Sequence, residues 1–71
     1  MNGNLLKAVI TKNGENLSIL AEAMGMPTSA LSQRISGRVD FRRNEIRFIK
    51  NRYKLTCEEV DMIFFEELVS A

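Results

Sequence analysis

Residues 28 to 36 carry uncharged polar side chains at positions that share one face of a helix. On a helical wheel, one arc of this segment holds Ser29, Ser32, Gln33 and Ser36. Short hydroxyl side chains allow a helix to approach the edges of nucleic-acid bases, and a glutamine can pair with an adenine through two hydrogen bonds. The alternative is a solvated face without a ligand, although serine is a weaker helix former than lysine, glutamate or alanine.

Charge is distributed unevenly along the chain, although its net charge is only +1. Segment 34–54 carries eight basic residues against two acidic ones, whereas segment 56–71 carries five acidic residues and no basic one. This asymmetry predicts a basic surface for phosphates and an acidic end turned away from them. The row formed by Arg43, Arg47, Lys50 and Lys54 is equally explained as a solvated helix surface.

These polar residues need a scaffold, and segment 16–37 predicts one: two short helices that meet at a glycine. Ala21 is small enough for the second helix to pack closely on the first. Gly25 can adopt the left-handed conformation that ends the first helix and turns the chain. Leu31 and Ile35 give the second helix an apolar edge at i, i+4 spacing. The pattern is that of a helix-turn-helix.

With these residues the chain resembles the lambda-repressor-like family, the small Cro and repressor proteins of temperate phages. The resemblance spans nearly the whole chain and is carried by Leu20-Ala21, Gly25-Met26, Leu31-Ser32, Ile35-Ser36-Gly37-Arg38, Asp40-Phe41, Glu45-Ile46 and Ile63-Phe64-Phe65. It implies a transcriptional regulator that binds operator DNA as a dimer. The second motif helix would enter the major groove while the first crosses the backbone. It also implies a bacterial host cell, with the protein on the nucleoid when it is bound.

The resemblance also implies individual roles. Base contacts are expected from Thr28, Ser29 and Gln33, and backbone contacts from Ser18, Ser32, Arg34, Arg38, Arg42 and Arg43. From its own sequence context, Arg34 can either reach a phosphate or cover the core with its aliphatic stem.

Two positions of the motif depart from the family pattern. Leu17 stands where many members carry a glutamine that contacts a phosphate. Pro27 stands where a serine or threonine cap usually opens the second helix, which makes Thr28 the candidate cap.

The remaining pattern predicts a compact all-α fold of five helices in a single domain, residues 1–71, without a strand. The first helix is expected from about Asn4 to Lys12 and the fourth from about Arg43 to Tyr53, with Phe41 entering the core before it. The fifth is expected over about 56–69, opened by a capping box of Thr56 and Glu59.

The predicted fifth helix has two apolar stripes. One comprises Val60, Ile63, Phe64 and Leu68 and can face the domain's own core. A second lies nearly opposite and comprises Met62, Phe65 and Val69. A small domain cannot cover both stripes, so the second is the predicted dimer interface. Alternatively, the helix ends near Phe65 and the tail folds back onto the same copy.

Composition argues against several other classes of protein. With no histidine and one cysteine, the chain has no Cys/His zinc set and no internal disulfide. Asp and Glu are the only general acid-base candidates, and they fall on exposed helix faces, so an enzyme is not expected. We also expect no cofactor, metal or small-molecule ligand, and no membrane segment or signal peptide, hence a cytoplasmic location. The alternative function is a helical protein-interaction module, such as an antitoxin or a phage accessory factor.

Overall fold

The computed structural model describes residues 1–65, and this part of the chain contains helices and no strand. The helices are α1 (Gly3–Lys12), α2 (Leu17–Met24), α3 (Thr28–Ile35), α4 (Arg43–Tyr53) and α5 (Cys57–Val60). A π-helical segment, Asp61–Phe65, follows α5 directly. The predicted all-α class is confirmed. Leu68, predicted to face the core, and Val69, predicted for the dimer interface, both lie outside the described residues.

Several helix ends are determined by nearby side chains. The side-chain oxygens of Asn2 and Asn16 cap α1 and α2, each accepting a hydrogen bond from the backbone N–H three residues later, at 3.0 and 2.9 Å. The capping box before α5 is present. The Glu59 N–H donates to Thr56 Oγ1 at 3.1 Å, and the Thr56 N–H donates to Glu59 Oε1 at 2.8 Å. The sequence predicted this capping box correctly, but the predicted α-helix over about 56–69 is wrong within the described residues, where α5 ends at Val60 and Asp61–Phe65 is π-helical.

The turn between α2 and α3 brings the two motif helices together. Gly25 has a φ of +75° and ends α2 in the left-handed conformation. Ala21 is 1% exposed and lies in the core with Leu31, as the helix-turn-helix pattern predicts. Pro27 is the residue that precedes α3, and Thr28 is its first helical residue. The prediction that Thr28 caps this helix is therefore wrong.

All five α-helices, the loop before α5 and the π-helical segment contribute residues to one apolar core. Its buried members are Leu6, Ile10, Leu20, Ala21, Leu31, Ile35, Ile49, Tyr53, Leu55, Val60, Ile63 and Phe64. Phe41 is half-buried at its edge, where its ring meets that of Phe64 edge to face at a centroid distance of 5.2 Å. The loop between α3 and α4 is thereby attached to the end of the described chain.

The start of α1 packs tightly against two distant segments. The Asn2 N–H donates a hydrogen bond to the Ile63 carbonyl oxygen at 2.7 Å. A Cβ atom at Gly3 would lie 2.6 Å from the carbonyl oxygen of Ile35, closer than van der Waals contact allows. Only glycine therefore permits this approach of α1 to the end of α3.

We expect Gly3→Ala to destabilise the fold by about 1 to 3 kcal/mol, because the added methyl group must displace backbone. A loss of stability would be informative, because replacing glycine by alanine within an unobstructed helix usually stabilises it by about 1 kcal/mol. Urea denaturation followed by circular dichroism measures the change. Asn4→Ala, at the exposed neighbouring position, is the control and should change stability little. A Gly3→Ala protein as stable as wild type would contradict the packing described above.

Candidate nucleic-acid interface

The exposed side of α3 presents hydrogen-bonding groups without charge. Ser29, Ser32, Gln33 and Ser36 are all exposed and line one shallow depression of about 410 Å³ together with Arg38. Thr28 is exposed at the first position of the same helix. The fold therefore brings together two of the three predicted base-contacting residues, Ser29 and Gln33.

The turn after α3 determines where Arg38 lies. Gly37 has a φ of +91°, a conformation that side-chain-bearing residues rarely adopt. The chain turns back there, and the Arg38 N–H donates to the Gln33 carbonyl oxygen at 2.9 Å. This hydrogen bond holds the backbone of a basic residue beside the polar face of α3.

Arg34 joins α3 to the start of α4. Its Nε donates to Glu45 Oε1 at 3.0 Å, and its Nη1 donates to the Ala30 carbonyl oxygen at 3.2 Å. The same Glu45 oxygen accepts the Arg42 N–H at 2.9 Å. The side chains of Arg34 and Glu45 are only 15% and 12% exposed. The guanidinium of Arg34 is thus bound within the protein, which does not support the predicted contact of Arg34 with the DNA backbone.

Three other basic residues of segment 34–54, Arg43, Arg47 and Lys50, line one surface depression. This depression, of about 620 Å³, is lined by Phe41, Arg43, Ile46, Arg47, Lys50, Asn51 and Phe65. It is separate from the depression that Arg38 shares with α3. Within residues 1–65 the ion pairs are Arg34–Glu45 and Arg52–Glu15, so Arg38, Arg42 and Arg43 have no carboxylate partner in that range. Ser18, at the second position of α2, is also exposed.

A cluster that the sequence did not indicate joins the loop before α2 to the end of α4. Arg52 binds Glu15 through two hydrogen bonds, from Nη2 to Oε2 at 2.7 Å and from Nε to Oε1 at 3.0 Å. The Tyr53 hydroxyl donates to Glu15 Oε1 at 2.8 Å. The hydrogen bonds from Arg52 and Tyr53 lower the pKa of Glu15. Arg52 is therefore committed within the protein and does not belong to the available basic residues.

The phenol of Tyr53 is a weaker acid than that of an ordinary tyrosine. Burial, assisted by the hydrogen bond to the Glu15 carboxylate, raises the pKa of Tyr53 to about 12. An unfolded tyrosine titrates near pH 10, so the folded protein holds this proton more tightly. The contribution of Tyr53 to the free energy of unfolding is therefore fully present below about pH 10 and is lost as the pH rises towards about 12.

Titration of tyrosinate absorbance tests this directly, because the chain has one tyrosine and no tryptophan. We expect a midpoint near pH 12 while circular dichroism still reports a folded chain. Glu15→Gln should lower the midpoint, since it removes the negative charge that opposes the phenolate. The exposed Glu22 provides a matched control, and Glu22→Gln should leave the midpoint unchanged. A wild-type midpoint at the ordinary value near 10 in the folded protein would contradict the cluster's geometry.

The π-helical segment determines which apolar side chains remain exposed. Val60, Ile63 and Phe64 are buried, whereas Met62 and Phe65 are 48% and 57% exposed, which confirms the predicted inner and outer sides over the described range. A π-helix has more residues per turn than an α-helix, so side chains three positions apart point in more different directions than they do in an α-helix. Met62 lines a depression with α1 and α3, whereas Phe65 lines depressions beside α4 and the loop before it. The two residues predicted as one stripe thus face different parts of the molecule.

Comparisons of the chain with protein-family models, with curated proteins and with solved structures found no match. Residues 1–65 contain no group of three or more His, Cys, Asp or Glu side chains arranged to hold a metal ion. In the same range, no helix is both long and apolar enough to cross a membrane. The single cysteine, Cys57, is exposed.

Proposed function

We propose that this chain is a sequence-specific DNA-binding transcriptional regulator that binds operator DNA as a dimer and acts by occupying it. The observation that carries the proposal is the exposed face of α3. Its side chains donate and accept hydrogen bonds without carrying charge, and an arginine lies at its edge. Such a face suits the major groove, where base pairs present distinct patterns of donors and acceptors.

In this proposal α3 enters the major groove and α2 crosses the backbone. Thr28, Ser29 and Gln33 read base edges, and Gln33 is the residue that can bond an adenine through two hydrogen bonds. Backbone phosphates are bound by Ser18, Ser32, Arg38, Arg42 and Arg43. These contacts fix the orientation of the protein on DNA but carry no sequence information themselves.

The proposed dimer forms around Phe65. This side chain is 57% exposed and borders a depression that it shares with Met1, Val39 and Phe41. A second copy offers the same apolar surface, and a two-fold pairing makes the two surfaces self-complementary. Such a dimer would present two copies of α3 to half-sites about 34 Å apart, one turn of DNA.

Selection from a random pool of duplex DNA tests the proposal. We expect the recovered sequences to share a two-fold symmetric motif whose half-sites are centred about 10 base pairs apart. Titration of the selected DNA at several salt concentrations should show log K falling linearly with log salt. Recovered sequences without a common motif, together with salt-independent binding or none, would refute the proposal.

A second candidate, the protein-interaction module, is favoured by one observation. One depression is lined by the apolar side chains of Phe41, Ile46 and Phe65 together with three basic residues, Arg43, Arg47 and Lys50. An amphipathic helix with an acidic edge would fit such a surface. If the selection fails, titration of an acidic amphipathic peptide against wild type and Arg47→Glu distinguishes this candidate, because only wild type should bind.

A further inference from the structure

Lys7 lines two surface depressions. It lies outside the basic segment 34–54 and outside the helix-turn-helix. One depression of about 650 Å³ separates α1 from α3, and Lys7 lines it with Asn4, Ser32 and Ser36. The other, of about 200 Å³, lies at the start of α2, where Lys7 is accompanied by Asn16 and Leu17 among others. Lys7 therefore borders both helices of the helix-turn-helix.

The position of Lys7 matters because the polar face of α3 has two sides. Ser32 and Ser36 also line the depression that contains Gln33 and Arg38. The face is thus bordered by Arg38 on one side and by Lys7 on the other. A helix seated in the major groove, which is about 12 Å wide, has a sugar-phosphate strand on each side. The molecule offers a basic residue to each strand.

Apart from the Ser18 hydroxyl, the residues at the start of α2 offer the strand on the Lys7 side no suitable group. Leu17 is apolar, half-buried and packed against the core. The side-chain oxygen of Asn16 already accepts the Ile19 N–H at 2.9 Å. Glu15 also lines this depression, but its carboxylate is bound by Arg52. Among the described residues that line the two depressions, Lys7 is the one lysine or arginine.

We infer that Lys7, assisted by the neighbouring amide of Asn4, binds a backbone phosphate of the DNA strand opposite the one that Arg38 contacts. The inference rests on the proposed function and adds a contact from α1, outside the helix-turn-helix. An ammonium group is suited to this task because it is a compact charge with three donors on a flexible stem.

The test measures the salt dependence of binding to the selected DNA and to a random duplex. We expect Lys7→Ala to weaken binding to both and to flatten the plot of log K against log salt by roughly one unit, the contribution of one phosphate contact. Arg38→Ala should do the same for the opposite strand. Lys7→Arg should keep the wild-type slope, because it retains the charge. Lys12→Ala is the matched control, since Lys12 is an exposed lysine of the same helix outside both depressions.

The outcomes separate this inference from the function on which it rests. A wild-type slope in Lys7→Ala, while Arg38→Ala flattens the plot, overturns the Lys7 contact and leaves the proposed function standing. An equal flattening by Lys12→Ala also overturns it, since the effect would then be general charge. If wild type shows no salt-dependent binding to either duplex, the proposed function and this inference both fail.

Discussion

Phe65→Glu is expected to yield a folded monomer whose binding to a palindromic operator is weaker by roughly 10²- to 10⁴-fold, the gain that joining two binding modules confers. The substitution should leave the fold intact because Phe65 is 57% exposed within one copy. In a dimer centred on this residue, the carboxylates would be buried against apolar surface, which is unfavourable without a partner charge. Analytical ultracentrifugation measures the oligomeric state, and binding to operator DNA measures the second effect.

Met62→Glu is the matched control for this experiment. Met62 lies in the same π-helical segment and is 48% exposed, but it faces the depression between α1 and α3. Its substitution should leave the sedimentation of the dimer unchanged. A wild-type protein that sediments as a monomer at micromolar concentration would refute the proposed interface. So would a Phe65→Glu protein that still dimerises.

Gln33→Ala should lower affinity for the selected operator by about 1 to 3 kcal/mol while binding to random DNA stays nearly unchanged. Gln33 is exposed in the middle of the polar face, where its amide can contact a base edge. Random DNA is held mainly through phosphates, which this amide is not proposed to contact. Competition between the two duplexes at one salt concentration measures the difference.

The control on the same face is Ser36→Ala. The Ser36 hydroxyl donates to the Gln33 carbonyl oxygen at 3.0 Å and lies at the end of α3, so its loss should change selectivity less. Equal losses on operator and random DNA for Gln33→Ala, or no loss on either, would show that Gln33 does not read a base.

The sequence predicted where the helices begin because helix starts depend on neighbouring residues, whereas it did not predict the π-helical segment that follows α5. Asn16 caps a backbone N–H three residues later, Thr56 and Glu59 cap each other, and Gly25 adopts its left-handed conformation through its own backbone freedom. The spacing of apolar residues likewise predicted the inward positions of Leu31, Ile35, Ile63 and Phe64, all of which are buried. The polar face of α3 follows from helical periodicity alone, whereas its action on DNA remains a prediction.

Only the tertiary structure decided which charged residues are available, because their partners are distant in sequence. Arg34 pairs with Glu45, 11 residues away, and Arg52 with Glu15, 37 residues away. No local pattern links such residues, since their approach depends on how the helices pack. The same packing leaves no room for a side chain at Gly3 beside the Ile35 carbonyl oxygen. It also turns Met62 and Phe65 to different surfaces and places Lys7 beside α3. Helix formation is governed by contacts within a few residues, whereas the surface is assembled from segments that meet only in the folded chain.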